Sequence, residues 1–332
     1  MDSKYLITSS RVRLARNVRG LPFPEKLYGE GVYNVILKGA TEAADFEYDF
    51  YNMGQLSELE RNALVEKHLI SRGLVARDQI GAVIIKKDGR VSVMVNEEDH
   101  IRAQCIAEGL NLEYCYDVIN AYDDRLSERL DIAYDSEFGY LTSCITNLGT
   151  GMRASCMMFL PALTLAGQMK HVARLLGQKG LTIRGVYGEG SDAEGRLYQI
   201  SNSCSLGVTE GQILSGVKDA VLKIAEDEAE CRYRIFEAEG PYNFEDKVFR
   251  AYGVLTSARV LTSKEFMDHM ATVKMGISLG VMPITATEKL DGLILNAQPA
   301  NLCLMEGGRE LSAYERDVAR AKFVRETLEK LK

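Results

Sequence analysis

Three clusters of residues in this 332-residue chain have the types and spacing that chemistry needs. The first is Tyr140 to Met157, where Cys144 is followed by Gly149, Gly151 and Arg153. A thiol, a glycine turn and a guanidinium in this order suggest a reactive cysteine beside an anion cradle, because glycines let backbone N–H groups come close to a phosphate. A buried cysteine, a plain glycine turn and a solvated arginine would read the same way. The second cluster is Asn96-Glu97-Glu98-Asp99-His100-Ile101-Arg102, three acids and an arginine just after an apolar run. This is either a solvated turn or a carboxylate pair at a strand end, where active-site groups often collect. The third is Arg11 and Arg13, two apart in a β-prone stretch and so on one face of a strand, where like charges call for an anion or for solvent.

The elements that must hold these residues are partly legible. Residues 5–13 read as a strand. Residues 55–72 have a helical apolar period that carries His68, a position with little weight by itself. Asp88-Gly89 between β-branched runs predicts a hairpin over Ala82 to Val95. Leu112, Tyr116, Ile119, Leu126 and Leu130 mark an amphipathic helix. The apolar run from Ala154 to Leu176 reads as a helix interrupted at Pro161, which would put a helix start beside Arg153. Leu181 to Tyr187 and Arg196 to Ser201 read as strands around a glycine-rich flap. Beyond residue 235 the pattern turns helical after a linker over 237–243. Capping boxes stand at Thr209 with Gln212, Thr262 with Glu265 and Ser312 with Glu315.

Composition bounds the class. Apolar residues at 46% exclude a disordered chain, and a net charge of −7 argues against binding nucleic acid through overall charge. Any anion site must be a local gathering of arginines. Seven cysteines without a Cys-x-x-Cys pair fit neither a disulfide framework nor a zinc site and point to a reducing cytoplasm. No signal peptide or membrane-spanning run is apparent.

Ser9-Ser-Arg-Val-Arg13, the run from Asn96 to Arg102, Cys144 to Arg153, and Arg184-Gly-Val-Tyr-Gly together resemble the phosphagen kinases, the family of creatine and arginine kinases. The motifs occur in the family's order over most of residues 5–225. The resemblance implies an α+β fold, a largely antiparallel sheet flanked by helices, over residues 1–235, followed by an all-helical C-terminal domain over 236–332. It also implies ATP as phosphoryl donor, with Mg2+ held mainly through phosphates and water and with no protein metal ligand assigned.

By the same resemblance the nucleotide is bound by Ser9, Ser10, Arg11, Val12, Arg13, His68, Arg102, Arg153, Ala154, Ser155, Cys156, Met157, Arg184, Gly185, Val186, Tyr187, Gly188 and Glu189. Glu98 is the expected base, Glu97 its supporting carboxylate, and Cys144 the group that holds and polarises the acceptor guanidinium, its thiolate favoured by nearby arginines. Ser205 departs from the family, whose metabolic members carry an arginine in this stretch.

Metabolic members also carry a helical domain of about a hundred residues before the first motif, whereas eight residues precede Ser9 here. With the helical C-terminal region, this resembles the bacterial protein-arginine kinases. That implies protein substrates with accessible arginines, an activator protein, Clp-type protease machinery and a homodimer, in the service of protein quality control. Arg316, Asp317, Arg320 and Ala321 resemble that group's phosphoarginine-recognition motif, an allosteric site if coupled to catalysis. A kinase of free arginine or creatine and a silent phosphoarginine-binding module are the alternatives. A Ser/Thr/Tyr kinase is disfavoured because His-Arg-Asp and Asp-Phe-Gly are missing.

Overall fold

The computed structural model describes residues 6–26, 30–77, 80–185, 193–283 and 287–330. In chain order the elements are β1 (Ile7–Arg16), α1 (Glu30–Glu42), β2 (Tyr48–Asn52), α2 (Glu58–Glu66), α3 (Arg72–Val75), β3 (Ala82–Lys86), β4 (Val91–Val95), β5 (Ile101–Glu108) and α4 (Leu112–Arg129). There follow β6 (Tyr134–Asp135), β7 (Gly139–Tyr140), β8 (Met152–Phe159), α5 (Pro161–Leu165), α6 (Met169–Gln178), β9 (Leu181–Gly185), β10 (Leu197–Asn202) and α7 (Glu210–Glu239). The C-terminal part is helical: α8 (Pro241–Ser257), α9 (Ser263–Ser278), α10 (Thr287–Asn296), α11 (Pro299–Met305) and α12 (Ala313–Glu329).

Eight strands form one antiparallel sheet in the order β2-β3-β4-β5-β1-β8-β10-β9. Its two faces differ because side chains alternate along each strand. Val12, Leu14, Ala103, Cys105, Ala154, Cys156, Met158 and Ile200 are buried on one face, in the main core that also contains residues of α4 and α7. The opposite face is apolar toward β3 and β4, where Val83, Ile85 and Met94 pack with Met53, Ile70 and Leu74 as a second, smaller core, and again at Ile106, Met157 and Leu197. At its centre this face is polar.

The run after Arg153 is where the expected helix gives way to a strand. Residues 152–159 form β8, paired with β1 on one side and β10 on the other, and the helix starts only at Pro161. Alternation between small apolar and polar residues satisfies a period of two, and two waiting strand edges decide the outcome. The helix expected over 55–72 is also shorter. Ser57 and Glu60 form a capping box at the start of α2, which ends at Glu66, and His68 follows in the left-handed region at φ 60°. The linker expected over 237–243 contracts to one residue. The α7 helix runs past position 235 to Glu239, Gly240 takes φ 80°, and Pro241 opens α8, an arrangement suited to a glycine stop and a proline start.

Buried ionic contacts fix the layers. Glu228 of α7 accepts hydrogen bonds from Ala162 N and Leu163 N at 2.9 Å each, and Arg232 Nε donates to it at 2.7 Å. Arg232 also reaches Phe159 O and Ser278 Oγ, bolting α7 to the sheet and to α9. Glu66, at the end of α2, accepts from Ala300 N at 2.8 Å and from Asn301 N at 2.9 Å. That carboxylate caps the first turn of α11 and docks the C-terminal helices on the sheet-bearing part.

Candidate active site

The pairing register assembles the arginines. Arg13 lies opposite Arg153 on β8 and opposite Gln104 on β5, Ala15 opposite Arg102, and Arg11 opposite Ser155. Gln199 of β10 lies opposite both Met157 and Arg184. Directly opposed residues share a face, so Arg11, Arg13, Arg102, Arg153 and Arg184 all project from the polar side. Ser10, Val12, Ala154 and Cys156 belong to the other face and are buried. They therefore support the site from behind rather than lining it, as does the Ser10 hydroxyl, which donates to Gly109 O at 2.7 Å. Gly185 ends β9, and the expected contacts Val186, Tyr187, Gly188 and Glu189 lie outside the described residues.

These guanidiniums are poorly answered. Burial, then the charges of Arg102 and Arg153, pull Arg11 down to about 10. Burial and the charges of Arg11, Arg102 and Arg153 hold Arg13 well below its ordinary value, with Glu97 opposing. The Nε atoms of Arg13 and Arg153 are buried without a hydrogen-bond partner among the described residues. An unmet buried donor is costly, and several like charges compound the cost. A polyphosphate removes both penalties with charge-assisted hydrogen bonds.

At the near end of the cluster the chain turns sharply from β4 into β5. Asn96 takes φ 55°, and its N–H donates to His100 O at 2.9 Å. This turn presents two unlike carboxylates. Glu97 is buried, accepts from Arg102 at 2.6 Å and from the Ser71 hydroxyl at 2.6 Å, and receives the Glu98 N–H at 2.9 Å. Burial pushes its carboxyl up, but Arg102 and these donors outweigh that and hold it below the usual range. The Glu98 side chain is 38% exposed, with an oxygen 3.9 Å from Arg102. It remains available to an incoming group.

A third layer connects this turn to Cys144. Asp99 Oδ1 accepts from Asn17 Nδ2 and from Ser143 N, each at 2.7 Å, and His100 N donates to Asn17 Oδ1. His100 Nδ1 accepts from Val18 N while Nε2 faces Pro22 O, which fixes the tautomer with the proton on Nε2. Cys144 is half-buried, its sulfur 3.0 Å from Thr146 Oγ1, and close enough to Arg153 to interact with its charge. Ser205, in the stretch where an arginine is usual, is buried, and its hydroxyl, 3.0 Å from both Thr146 O and Leu148 O, shares its one proton between them and clamps the turn that carries Cys144.

The glycines serve packing rather than an anion cradle. A side chain on Gly151 would strike the Arg16 guanidinium and Ala15 O, one on Gly149 would strike Ser205 O, and the Thr150 N–H already donates to Ser205 O. Because β8 replaces the expected helix, Arg153 stands within a strand and not beside a helix start. Arg16, opposite Ile101 on the other face of β1, is buried against Asp123 at 2.7 Å and over the Tyr140 ring.

Residues outside the sequence motifs complete the site. Arg153 donates to Ser201 Oγ at 2.9 Å, Gln199 donates to Ser155 Oγ at 2.8 Å, and Gln104 donates to His68 O at 2.7 Å. Their signal in the sequence is the alternation of polar residues along β5 and β10. Burial, then Arg11, lowers His68 to about 4, so its ring is neutral at neutral pH.

In the C-terminal helices, Arg316 donates to Leu311 O at 3.0 Å and borders a cavity shared with Glu66 and Arg72. Arg320 is buried and differs: it donates to Ala297 O at 3.1 Å, Leu261 O at 2.9 Å and Asp317 Oδ1 at 2.6 Å. Ala321 lies buried in the core.

A face of crowded, only partly paired guanidiniums beside an exposed carboxylate is the equipment of a phosphotransferase. Comparison with known proteins narrows that class. The family model for the ATP:guanido phosphotransferase C-terminal catalytic domain matches residues 32–231, and that for the protein-arginine kinase McsB C-terminal domain matches 241–332. The protein-arginine kinase of Caldanaerobacter subterraneus subsp. tengcongensis is 43% identical, the match covering 98% of each chain. That of Clostridium acetobutylicum is 40% identical over 97% of this chain and 96% of its own. Among solved structures, the duplicated taurocyamine kinase from Schistosoma mansoni with bound transition state analog components superposes with a TM-score of 0.61 at 29% identity, over 68% of this chain and 34% of that one. The chain belongs to the ATP:guanido phosphotransferase family, among its protein-arginine kinases.

Proposed function

We propose that the protein transfers the γ-phosphoryl group of ATP to arginine side chains of proteins. The observation that carries this is the face of five arginines, with buried unpartnered Nε atoms on Arg13 and Arg153, beside the exposed Glu98. The cluster takes the triphosphate. Phosphoryl transfer through a loose, in-line transition state depends on such charge neutralisation and positioning.

The acceptor guanidinium enters between Glu98 and Cys144. Glu98 pairs with it, and as the N–P bond forms and the bond from phosphorus to the ADP oxygen breaks, the proton lost from nitrogen passes to the Glu98 carboxylate. ADP leaves with the electron pair. Glu97, committed to Arg102 and Ser71, orients the turn, and Cys144 holds and polarises the guanidinium without becoming phosphorylated. Both Glu97 oxygens are engaged within the protein, which suits a magnesium ion that reaches the site on the phosphates and keeps its own water. That ion would neutralise charge on the phosphate oxygens.

The same reading divides the chain at about residue 235 into a catalytic domain and a helical domain for dimerisation and phosphoarginine recognition, in which Arg316 meets the phosphoarginine while Arg320, held by Asp317, and the buried Ala321 brace the helix that presents it. A cytoplasmic setting, an activator protein and Clp-type protease machinery complete the proposal. Among the described residues no helix is long and apolar enough to cross a membrane.

The test is to supply Mg-ATP with a disordered arginine-rich protein or with free arginine and to follow acid-labile phosphate in the product. Contacts of the polypeptide around the reacting arginine can lower the barrier. The expected kcat/KM for the protein is larger. Equal values would favour a kinase of free guanidines, and no transfer to either would leave a silent binding module.

A further inference from the structure

The C-terminal helices reach the proposed nucleotide site. A cavity of about 620 Å3 lies between the polar sheet face, through Ser9, Ile106 and Met157, and α10, through Asp291, Ile294 and Leu295. A smaller cavity lined by Arg11, Ser155 and Gln199 shares Ser9, His68, Ile106 and Met157 with it. The two form one trough, charged at the arginine end and largely apolar at the α10 end. Ser9 and Arg11 share a face of one strand two residues apart, about 7 Å at the usual strand rise. One molecule with an anionic tail and a flat, mostly apolar head would occupy both ends.

We infer that α10 of the C-terminal region is the outer wall of the nucleoside subsite, with Ile294 and Leu295 packing against the base or ribose of ATP while the arginines hold its phosphates. The inference rests on reading the arginine face as the triphosphate site. The sheet supplies Ile7, Ile106, Met157 and Leu197 as the inner wall, so a planar base is covered on both sides, the usual construction of a small-molecule site. Asp291 supplies a polar edge at the mouth, held by Lys274 at 2.5 Å, and the Lys274 ammonium lies over the Phe159 ring, the last residue of β8. The wall is thereby fastened to the strand that carries Arg153. Ala300 and Asn301, just after α10, are held by Glu66, two residues before His68. The α11 helix, which borders the Arg316 cavity, directly follows the α10 helix that closes the nucleotide trough.

The experiment compares ATP with inorganic tripolyphosphate, which has the charge and no nucleoside, by isothermal titration of the full chain. Leu295→Ala removes apolar surface from the wall. Gly292→Phe adds a ring where the glycine has no atom within 4 Å to displace. In at least one variant ATP affinity should fall about fivefold or more, the effect of losing one apolar contact, while tripolyphosphate affinity is retained. That retention also shows the fold to be intact. Unchanged ATP affinity in both variants, or equal losses for the two ligands, would overturn the inference. If the unaltered protein bound neither ligand, the triphosphate reading itself would fall.

Discussion

Two groups of arginines lie in the two halves of this chain, and their charges are met in opposite ways. On the sheet face, Arg11, Arg13 and Arg153 crowd together, their charge states pushed down by burial and mutual repulsion, and two of them keep a buried Nε without a partner. On α12, Arg320 is more completely buried than these, yet it is met by Asp317 and by the carbonyls of Ala297 and Leu261. The first arrangement is unfavourable without a ligand and the second is a strut. Residue type is identical, so the unmet donor marks a binding surface and the satisfied donor marks structure. Arg316, at the wall of the cavity it shares with Glu66, is the α12 arginine placed to meet an incoming phosphoarginine.

The largest expected effect falls on the acid beside the sheet cluster. Glu98→Gln preserves size and hydrogen bonding but removes the proton acceptor, so phosphoryl transfer should fall ~10² or more while ATP binding survives. Single-turnover rates and ATP titration measure the two separately. Turnover near that of the unaltered enzyme would remove Glu98 as the base and return attention to Cys144.

The next pair tests the comparison directly. Arg13→Ala relieves repulsion in the ligand-free protein and removes one phosphate contact. ATP affinity should fall roughly tenfold or more, the usual yield of a charge-assisted hydrogen bond, with the unliganded unfolding midpoint unchanged or higher. Arg320→Ala should do the reverse. It leaves the Asp317 carboxylate and two buried carbonyls unmet, which costs ~3 kcal/mol of stability, while ATP affinity changes little. If both substitutions destabilised the unliganded protein equally, the distinction between unmet and met guanidiniums would fail.

The sequence disclosed the chemistry of the sheet site better than its shape. Arg11, Arg13, Arg102, Arg153 and Arg184 were recognisable by motif, and the strand pairings place them on one face. Residues 154–159 read as helix because apolar residues at short spacing fit either period. The strand outcome depends on β1 and β10, both distant in sequence. Ser71 was silent because it is polar and ordinary locally and gains its role from Glu97, 26 residues away; Gln104 and Gln199 showed only as polar alternation and Ser205 only as a departure from the motif, and their roles come from partners at least twelve residues away. At the C-terminus the motif around Arg316 was legible, but a sequence does not record whether a guanidinium's donors are already taken.

The smallest expected effect concerns the boundary between the two regions, where Glu66 and His68 titrate in opposite senses. Burial raises Glu66 above its ordinary value despite the N–H groups of Ala300 and Asn301. Between 4.5 and that raised value the folded chain holds the extra proton, so acidification favours folding through this group. His68 is lowered from 6.5 to about 4 by burial and then by Arg11. Between those values the unfolded chain binds the proton and the folded chain does not, so stability present above pH 6.5 is lost as pH falls toward 4. His100 is lowered by burial in the same direction, which would obscure the contribution in the unaltered protein alone. His68→Asn isolates it, because asparagine accepts the left-handed backbone at this position and carries no titrating group. The variant and the unaltered protein should show similar unfolding midpoints near pH 7.5, and the unaltered protein should lose more between pH 6.5 and 4.5. Parallel pH profiles would mean that burial and the Arg11 charge together do not hold His68 neutral in the folded chain, and the assigned surroundings of this ring would be wrong.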